Sequence, residues 1–100
     1  MGIDNGGTFS KAALFDENGV QISVASVPTV TLTPKPGYTE RDMEELWQVN
    51  AKAARQAIEK SGIDPKEIAG GSYSGHGKGL YLVGKDGKPA YNGIISTDAR

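Results

Sequence analysis

Glycine closes almost every apolar run in this chain, and that punctuation decides what it can fold into. Fourteen of its 100 residues are glycine, about twice the ~7% share of an average protein. They do not form a low-complexity tract. They stand in clusters between short apolar runs, a spacing that predicts strands joined by tight turns. Residues 1–4 read as a strand end and Asn5-Gly6-Gly7 as a turn, Asn-Gly being a favoured hairpin pair. Residues 8–16 read as a second strand. Phe9, Lys11, Ala13 and Phe15 share one face and Thr8, Ser10, Ala12 and Leu14 the other. Neither face is cleanly polar, which predicts cover on both sides. Glu17-Asn18-Gly19 turns the chain into a third strand over 20–29, completing an antiparallel meander.

Residues 31–39 hold Pro34, Pro36 and Gly37 and read as a loop. A helix is expected over 42–61, with Asp42 as its cap and Glu45 three residues on, the spacing of a capping box. Met43, Leu46, Trp47, Asn50, Ala54, Ala57 and Ile58 form a stripe at helical spacing, which predicts a buried face that includes Trp47. Gly62 suits a left-handed helix end, and Asp64-Pro65 the start of a short turn. Strands are expected over 68–74 and 80–83, with a glycine-rich bend over 74–79 between them. A turn follows at Lys85-Asp86-Gly87, and a last strand begins at Ile94 and Ile95. The order β-β-β-α-β with further strands is that of an α/β mixed sheet with one helical crossover.

A single domain is the natural count at this length. Eleven basic against twelve acidic residues leave a charge of −1, so no basic excess points to a nucleic-acid partner. Cysteine is absent, which removes disulfides, zinc knuckles and thiol nucleophiles from consideration. No apolar run approaches the ~20 residues of a membrane span. The expected setting is cytoplasmic, with no membrane partner.

The first glycine cluster, Asp4-Asn5-Gly6-Gly7-Thr8, is followed three residues later by Lys11. Bare glycines let backbone N–H groups approach an anion closely. The Thr8 hydroxyl can donate, Lys11 adds a point charge, and Asp4 can hold Mg²⁺ directly or through water. The same residues fit a plain hairpin with incidental charges. Two other phosphate loops are excluded. Around Gly77-Lys78 the Walker spacing puts Ser72 where the first glycine belongs, and Gly75, Gly77 and Gly79 lack the dinucleotide spacing. The second cluster, Ser74 to Gly79, presents His76 and Lys78 on a bend, where they suit a polar ligand or plain solvation. Asp98, at a later strand end, can accept from hydroxyls or cap a turn.

Taken together these segments resemble a known family. Asp4-x-Gly6-Gly7-Thr8-x-x-Lys11 is similar to the first phosphate motif of the sugar-kinase and actin superfamily. Pro36-Gly37-Tyr38-Thr39-Glu40-Arg41-Asp42, leading to Trp47, resembles the loop-to-helix signature of FGGY carbohydrate kinases, with Met43 where proline is usual. Ser74 to Leu80 stands at that family's sugar-contacting segment. Ser96-Thr97-Asp98-Ala99-Arg100 resembles its Trp-x-Asp-x-Arg run, with Ser96 in place of tryptophan. The resemblance implies an actin-like, ribonuclease H-like fold and ATP-dependent phosphorylation of a sugar. It assigns Asp4, Gly6, Gly7, Thr8 and Lys11 to the ATP phosphates, Asp4 to Mg²⁺, and His76, Gly77, Lys78 and Asp98 to the sugar. Gly77-Lys78 replace the Arg-Glu pair of glycerol kinases and the Met-His pair of D-xylulose kinases. The run looks most like L-xylulose or 3-keto-L-gulonate kinases. The family's base aspartate and adenosine lobe lie further along, so residues 1–100 are expected to be the first part of the N-terminal domain and inactive alone. A homodimer of the full-length protein is a further expectation. ROK sugar kinases share the first motif but lack the loop and helix signature. A free-standing binding module is the alternative from another class.

Overall fold

The computed structural model describes residues 1–100. Its main sheet has the order β3-β2-β1-β5, formed by β1 (Gly2–Asn5), β2 (Phe9–Phe15), β3 (Gln21–Pro28) and β5 (Ser72–Gly75). β1, β2 and β3 make the antiparallel meander. β5 returns parallel to β1, with Gly2 opposite Ser72 and Asn5 opposite Gly75. The crossover carries helix α1 (Met43–Ser61) and a 3₁₀ turn, Pro65–Glu67. A second, two-stranded sheet joins β4 (Glu40–Arg41) to β6 (Gly93–Ile94).

The helix ends follow from local chemistry. The Asp42 side chain accepts from the Glu45 N–H at 2.8 Å, satisfying one of the donors a helix start leaves free. The reciprocal half of the capping box does not form, and Glu45 Oε2 is buried without a partner. Gly62 ends α1 at φ 71°, in the left-handed region that glycine enters without strain.

Helix and sheet meet through small side chains. Ala12, Ala53 and Ala57 are fully buried, Ala25 is 1% exposed, and Val27 and Val49 complete the cluster. The buried helix stripe is Leu46, Val49, Ala53 and Ala57, rotated from the expected one, and Trp47 is 67% exposed. The cause is where α1 rests. It packs mainly over β2 and β3, which turns Trp47 toward the β1–β5 side, where no second layer lies.

β2 is covered on one face only, contrary to the expectation from its sequence. Ser10, Ala12 and Leu14 are buried beneath α1 while Phe9 and Phe15 stay about half exposed. The strand expected over 68–74 begins only at Ser72, because Ile68 closes the 3₁₀ turn through Pro65. Residues 80–83 form isolated bridges, Leu80 to Ile94 and Val83 to Pro89, instead of a strand. Glu40 and Arg41, at the edge of the expected loop, are a strand. The chain exposes 6715 Å², against about 5,400 Å² for a compact chain of this mass. The excess lies partly in Trp47, Tyr73 and the open face of the meander.

Candidate functional site

Both glycine clusters stand at one end of the sheet. Because β1 and β5 run parallel, their carboxyl ends coincide, and ligands of open α/β sheets gather at such ends. Asp4 lies opposite Lys11 on one side and Ser74 on the other. All three line a depression of about 380 Å³ on the face of the sheet away from α1. Asp4 is exposed and its carboxylate has no hydrogen-bond or ion-pair partner, so it is available to a ligand.

The hairpin differs from the expected Asn-Gly turn. Asn5 is still in β1, the Gly6 N–H donates to the Phe9 carbonyl at 3.0 Å, and neither Gly6 nor Gly7 has a positive φ. Gly6 is required by crowding: a Cβ there would lie 2.7 Å from the Phe9 carbonyl oxygen, whereas nothing lies within 4 Å of one on Gly7. Gly6→Ala should therefore distort the hairpin and lower the melting temperature, and Gly7→Ala should leave it unchanged. Equal melting temperatures for the two variants would contradict this account. The N–H groups of Gly7 and Thr8 have no acceptor in the protein, while the Thr8 carbonyl accepts from Thr29 N and Oγ1 at 3.0 Å each. The base of the hairpin is tied to the helix. Asn50 donates to Asn5 Oδ1 at 3.3 Å and accepts from Ser10 Oγ at 2.6 Å.

His76 joins the two clusters. Its backbone N–H and its Nδ1 both lie 3.1 Å from the Asn5 carbonyl, and its Nε2 lies 2.5 Å from the Tyr81 hydroxyl. A ring nitrogen facing a carbonyl must carry the proton, so Nδ1 donates to Asn5, and in the neutral ring Nε2 then accepts from the Tyr81 hydroxyl. The tyrosine ring fits because Gly79 and Gly93 flank it: a Cβ at either would come within 2.6 Å of ring carbons. Lys78 is exposed with φ 63°, a left-handed conformation uncommon for a non-glycine residue.

Asp98 is placed differently. Its Oδ1 accepts from Arg100 N and Nε, and its Oδ2 from Thr39 N and the Arg100 guanidinium, all at 2.7–3.0 Å. These contacts fill the roughly four acceptor positions of a carboxylate, so Asp98 acts here as scaffold and has no acceptor to spare for a hydroxyl. Arg100 also pairs with the buried Glu40 at 2.7 Å and lies over the Tyr38 ring at 3.9 Å. Glu40 further accepts from Tyr91 and Asn92 at 3.1 Å. Hydrogen bonds from Arg100 hold the Asp98 carboxyl well below the usual carboxylate range and also lower Glu40, and the two carboxylates raise Arg100 in return. Depressed folded-state values mean that the cluster stabilises fully above the unfolded carboxylate pKa near ~4. That contribution is lost as pH falls through the folded values. Glu40→Gln should thus cost stability at pH 7 and progressively less below pH ~4, read as converging urea midpoints of variant and wild type. A gap independent of pH would refute the assignment.

Sequence reasoning missed Glu40 and Arg41 as site components, although both are fully or almost fully buried. Arg41 donates from both terminal nitrogens to the carbonyls of Gly6 and Gly7.

A family model for the N-terminal domain of the FGGY family of carbohydrate kinases matches residues 1–100. This chain belongs to the FGGY family. Among its curated FGGY relatives, a Pasteurella multocida protein named "Probable L-xylulose kinase" is 46% identical over all 100 residues, which are 21% of its length. The L-xylulose/3-keto-L-gulonate kinase of Escherichia coli is 42% identical over all 100 residues, 20% of its length. A glycerol kinase of Thermotoga maritima is 34% identical over 95% of this chain and 19% of its own. The crystal structure of xylulose kinase from Rhodospirillum rubrum superposes with a TM-score of 0.89 at 28% identity, over 99% of this chain and 20% of that one. The fold is therefore the actin-like ATPase fold of these kinases. The chain spans about a fifth of the length of the relatives it matches. No helix is long and apolar enough to cross a membrane.

Proposed function

We propose that residues 1–100 are the first part of an ATP-dependent sugar kinase acting on a ketose of the L-xylulose class. The observation that carries this reading is the meeting of two glycine clusters at the carboxyl ends of β1 and β5, with the Gly7 and Thr8 N–H groups unpartnered beside the unpaired Asp4. Free amides on an exposed turn, a threonine hydroxyl and the Lys11 ammonium fit a polyphosphate. No group of three or more His, Cys, Asp or Glu residues gathers in the chain. Asp4 alone would then hold Mg²⁺, with waters and phosphate oxygens as the other ligands, as magnesium prefers. When bound, the metal neutralises charge on the phosphates during transfer.

In this reading Gly6 shapes the turn, Gly7, Thr8 and Lys11 hold the phosphates, and His76, Gly77 and Lys78 face the sugar. Asp98 keeps the Pro-Gly-Tyr loop against the strand end. The base and the adenosine site are assigned to the remainder of the longer protein, so residues 1–100 alone are expected to transfer no phosphate. The ketose is favoured over glycerol by the names of the relatives at 42–46% identity and by Gly77-Lys78, which offer a glycerol backbone one cation and no carboxylate. A coupled ADP-release assay on the longer protein tests this. Turnover is expected with L-xylulose and not with glycerol. Turnover with glycerol alone would replace the substrate assignment, and none with any ketose or polyol would sink the kinase reading.

A further inference from the structure

Arg41 is the largest fully buried side chain of the molecule, at 0% exposure. A charge so placed is costly to desolvate unless paired. Yet its ion-pair partners are absent: the only salt bridges are those of Arg100. Its Nε has no hydrogen-bond partner either. All its hydrogen bonds go to two neutral carbonyls, from Nη1 to Gly6 at 3.1 Å and from Nη2 to Gly7.

Those two carbonyls belong to the turn between β1 and β2, and their direction has a consequence. Every peptide bond in the chain is trans, and in a planar trans peptide the C=O and the following N–H point opposite ways. Drawing the Gly6 carbonyl inward therefore aims the Gly7 N–H outward. Drawing the Gly7 carbonyl inward aims the Thr8 N–H outward. These are the two amides that have no acceptor in the protein. A single side chain anchored on β4, 35 residues away in sequence, thus fixes two adjacent peptide planes in the orientation an anion needs.

We propose that Arg41 is a positioning residue for the phosphates of the nucleotide. Its planar fork sets the Gly7 and Thr8 amides toward them, and its charge, which forms no salt bridge with a protein carboxylate, lies behind the same peptides. Lysine cannot replace it fully, because the fork holds two carbonyls at once. This inference rests on the kinase reading. It adds to that reading a residue that never touches the ligand.

The test uses the longer protein with MgADP as the probe, titrated by calorimetry, alongside steady-state kinetics and thermal melting. Arg41→Met should weaken MgADP by about tenfold or more, the scale of losing one to two charge-assisted hydrogen bonds. The sugar KM should move by less than about twofold. Arg41→Lys, which keeps the charge and loses the fork, should fall between wild type and Arg41→Met, and it remains decisive if the methionine variant does not fold. MgADP affinity within about twofold of wild type in both variants overturns the proposal. So does an equal rise in sugar KM and nucleotide Kd with lysine no better than methionine, because that is general damage. Wild-type protein that binds no MgADP overturns the kinase reading and this inference with it, whereas wild-type binding matched by the variants overturns this inference alone.

Discussion

If the proposed kinase reading holds, Asp4→Asn in the longer protein should lower kcat/KM for phosphate transfer by at least about 100-fold, the scale expected when a metal-held charge stabilisation of several kcal/mol is lost. The substitution is isosteric: it removes the negative charge and turns one acceptor oxygen into an amide donor. The Asp4 carboxylate is exposed and makes no hydrogen bond and no ion pair, so the fold loses nothing it uses. Exposed positions of this kind change stability within about 0.5 kcal/mol. The melting temperature should therefore match wild type while activity collapses. Its neighbours sharpen the expectation. Lys11 directly opposite is left without a facing carboxylate, so nucleotide without metal should bind Asp4→Asn as well as wild type or better. Magnesium titration of the rate separates the cases: the variant should need far more Mg²⁺ or fail to saturate. A drop below about threefold, with an unchanged magnesium requirement, would remove Asp4 from the proposed metal site and leave it a bystander on the sheet.

The strands of the meander and both helix ends were legible because each is decided by neighbours in sequence. Alternation over β2, the Asp42 cap and the Gly62 end need no distant partner. The hairpin type was not legible. Asn5-Gly6 satisfies a local preference for a primed turn, but Arg41 claims the Gly6 and Gly7 carbonyls from across the fold. Trp47 failed for a related reason: helical spacing names a stripe, and only the sheet beneath chooses its centre. Here the alanines decide, since Ala12 and Ala25 admit Ala53 and Ala57 closely and turn the tryptophan aside. Glu40 and Arg41 read as part of the loop-to-helix signature, with nothing in their neighbours to show that they are buried. Their burial comes from β6 and from Tyr91, Asn92 and Arg100, over 50 residues on. The proposed phosphate role of Asp4 to Lys11 rests on residue types rather than on contacts, so the sequence offers it as readily as the structure does. Asp98 was legible as a strand-end acceptor, but not that Arg100, two residues away, fills it.

Ala53→Leu should be the most damaging single change to the fold. Ala53 is fully buried between α1 and the sheet, against Ala12, Ala25 and Ala57. Three added carbons have no space there, and overpacking of this kind costs typically ~1–3 kcal/mol through displaced backbone. The helix must lift off β2 and β3. Asn50, one turn earlier on α1, holds Asn5 and Ser10, so the strain passes to the base of the β1–β2 hairpin. Two readouts should move together: a lower urea midpoint, and faster amide hydrogen exchange in β1 and β2 at their hairpin ends. MgADP affinity should weaken as well, although Ala53 is nowhere near the exposed face of the turn. Ala54→Leu is the control. Ala54 is only partly buried at the margin of the same cluster, so its added carbons have solvent to enter and the cost should stay below ~1 kcal/mol. If both leucine variants melted alike, the close alanine seam would not be what sets the helix on the sheet, and the account of why Trp47 faces outward would fall with it.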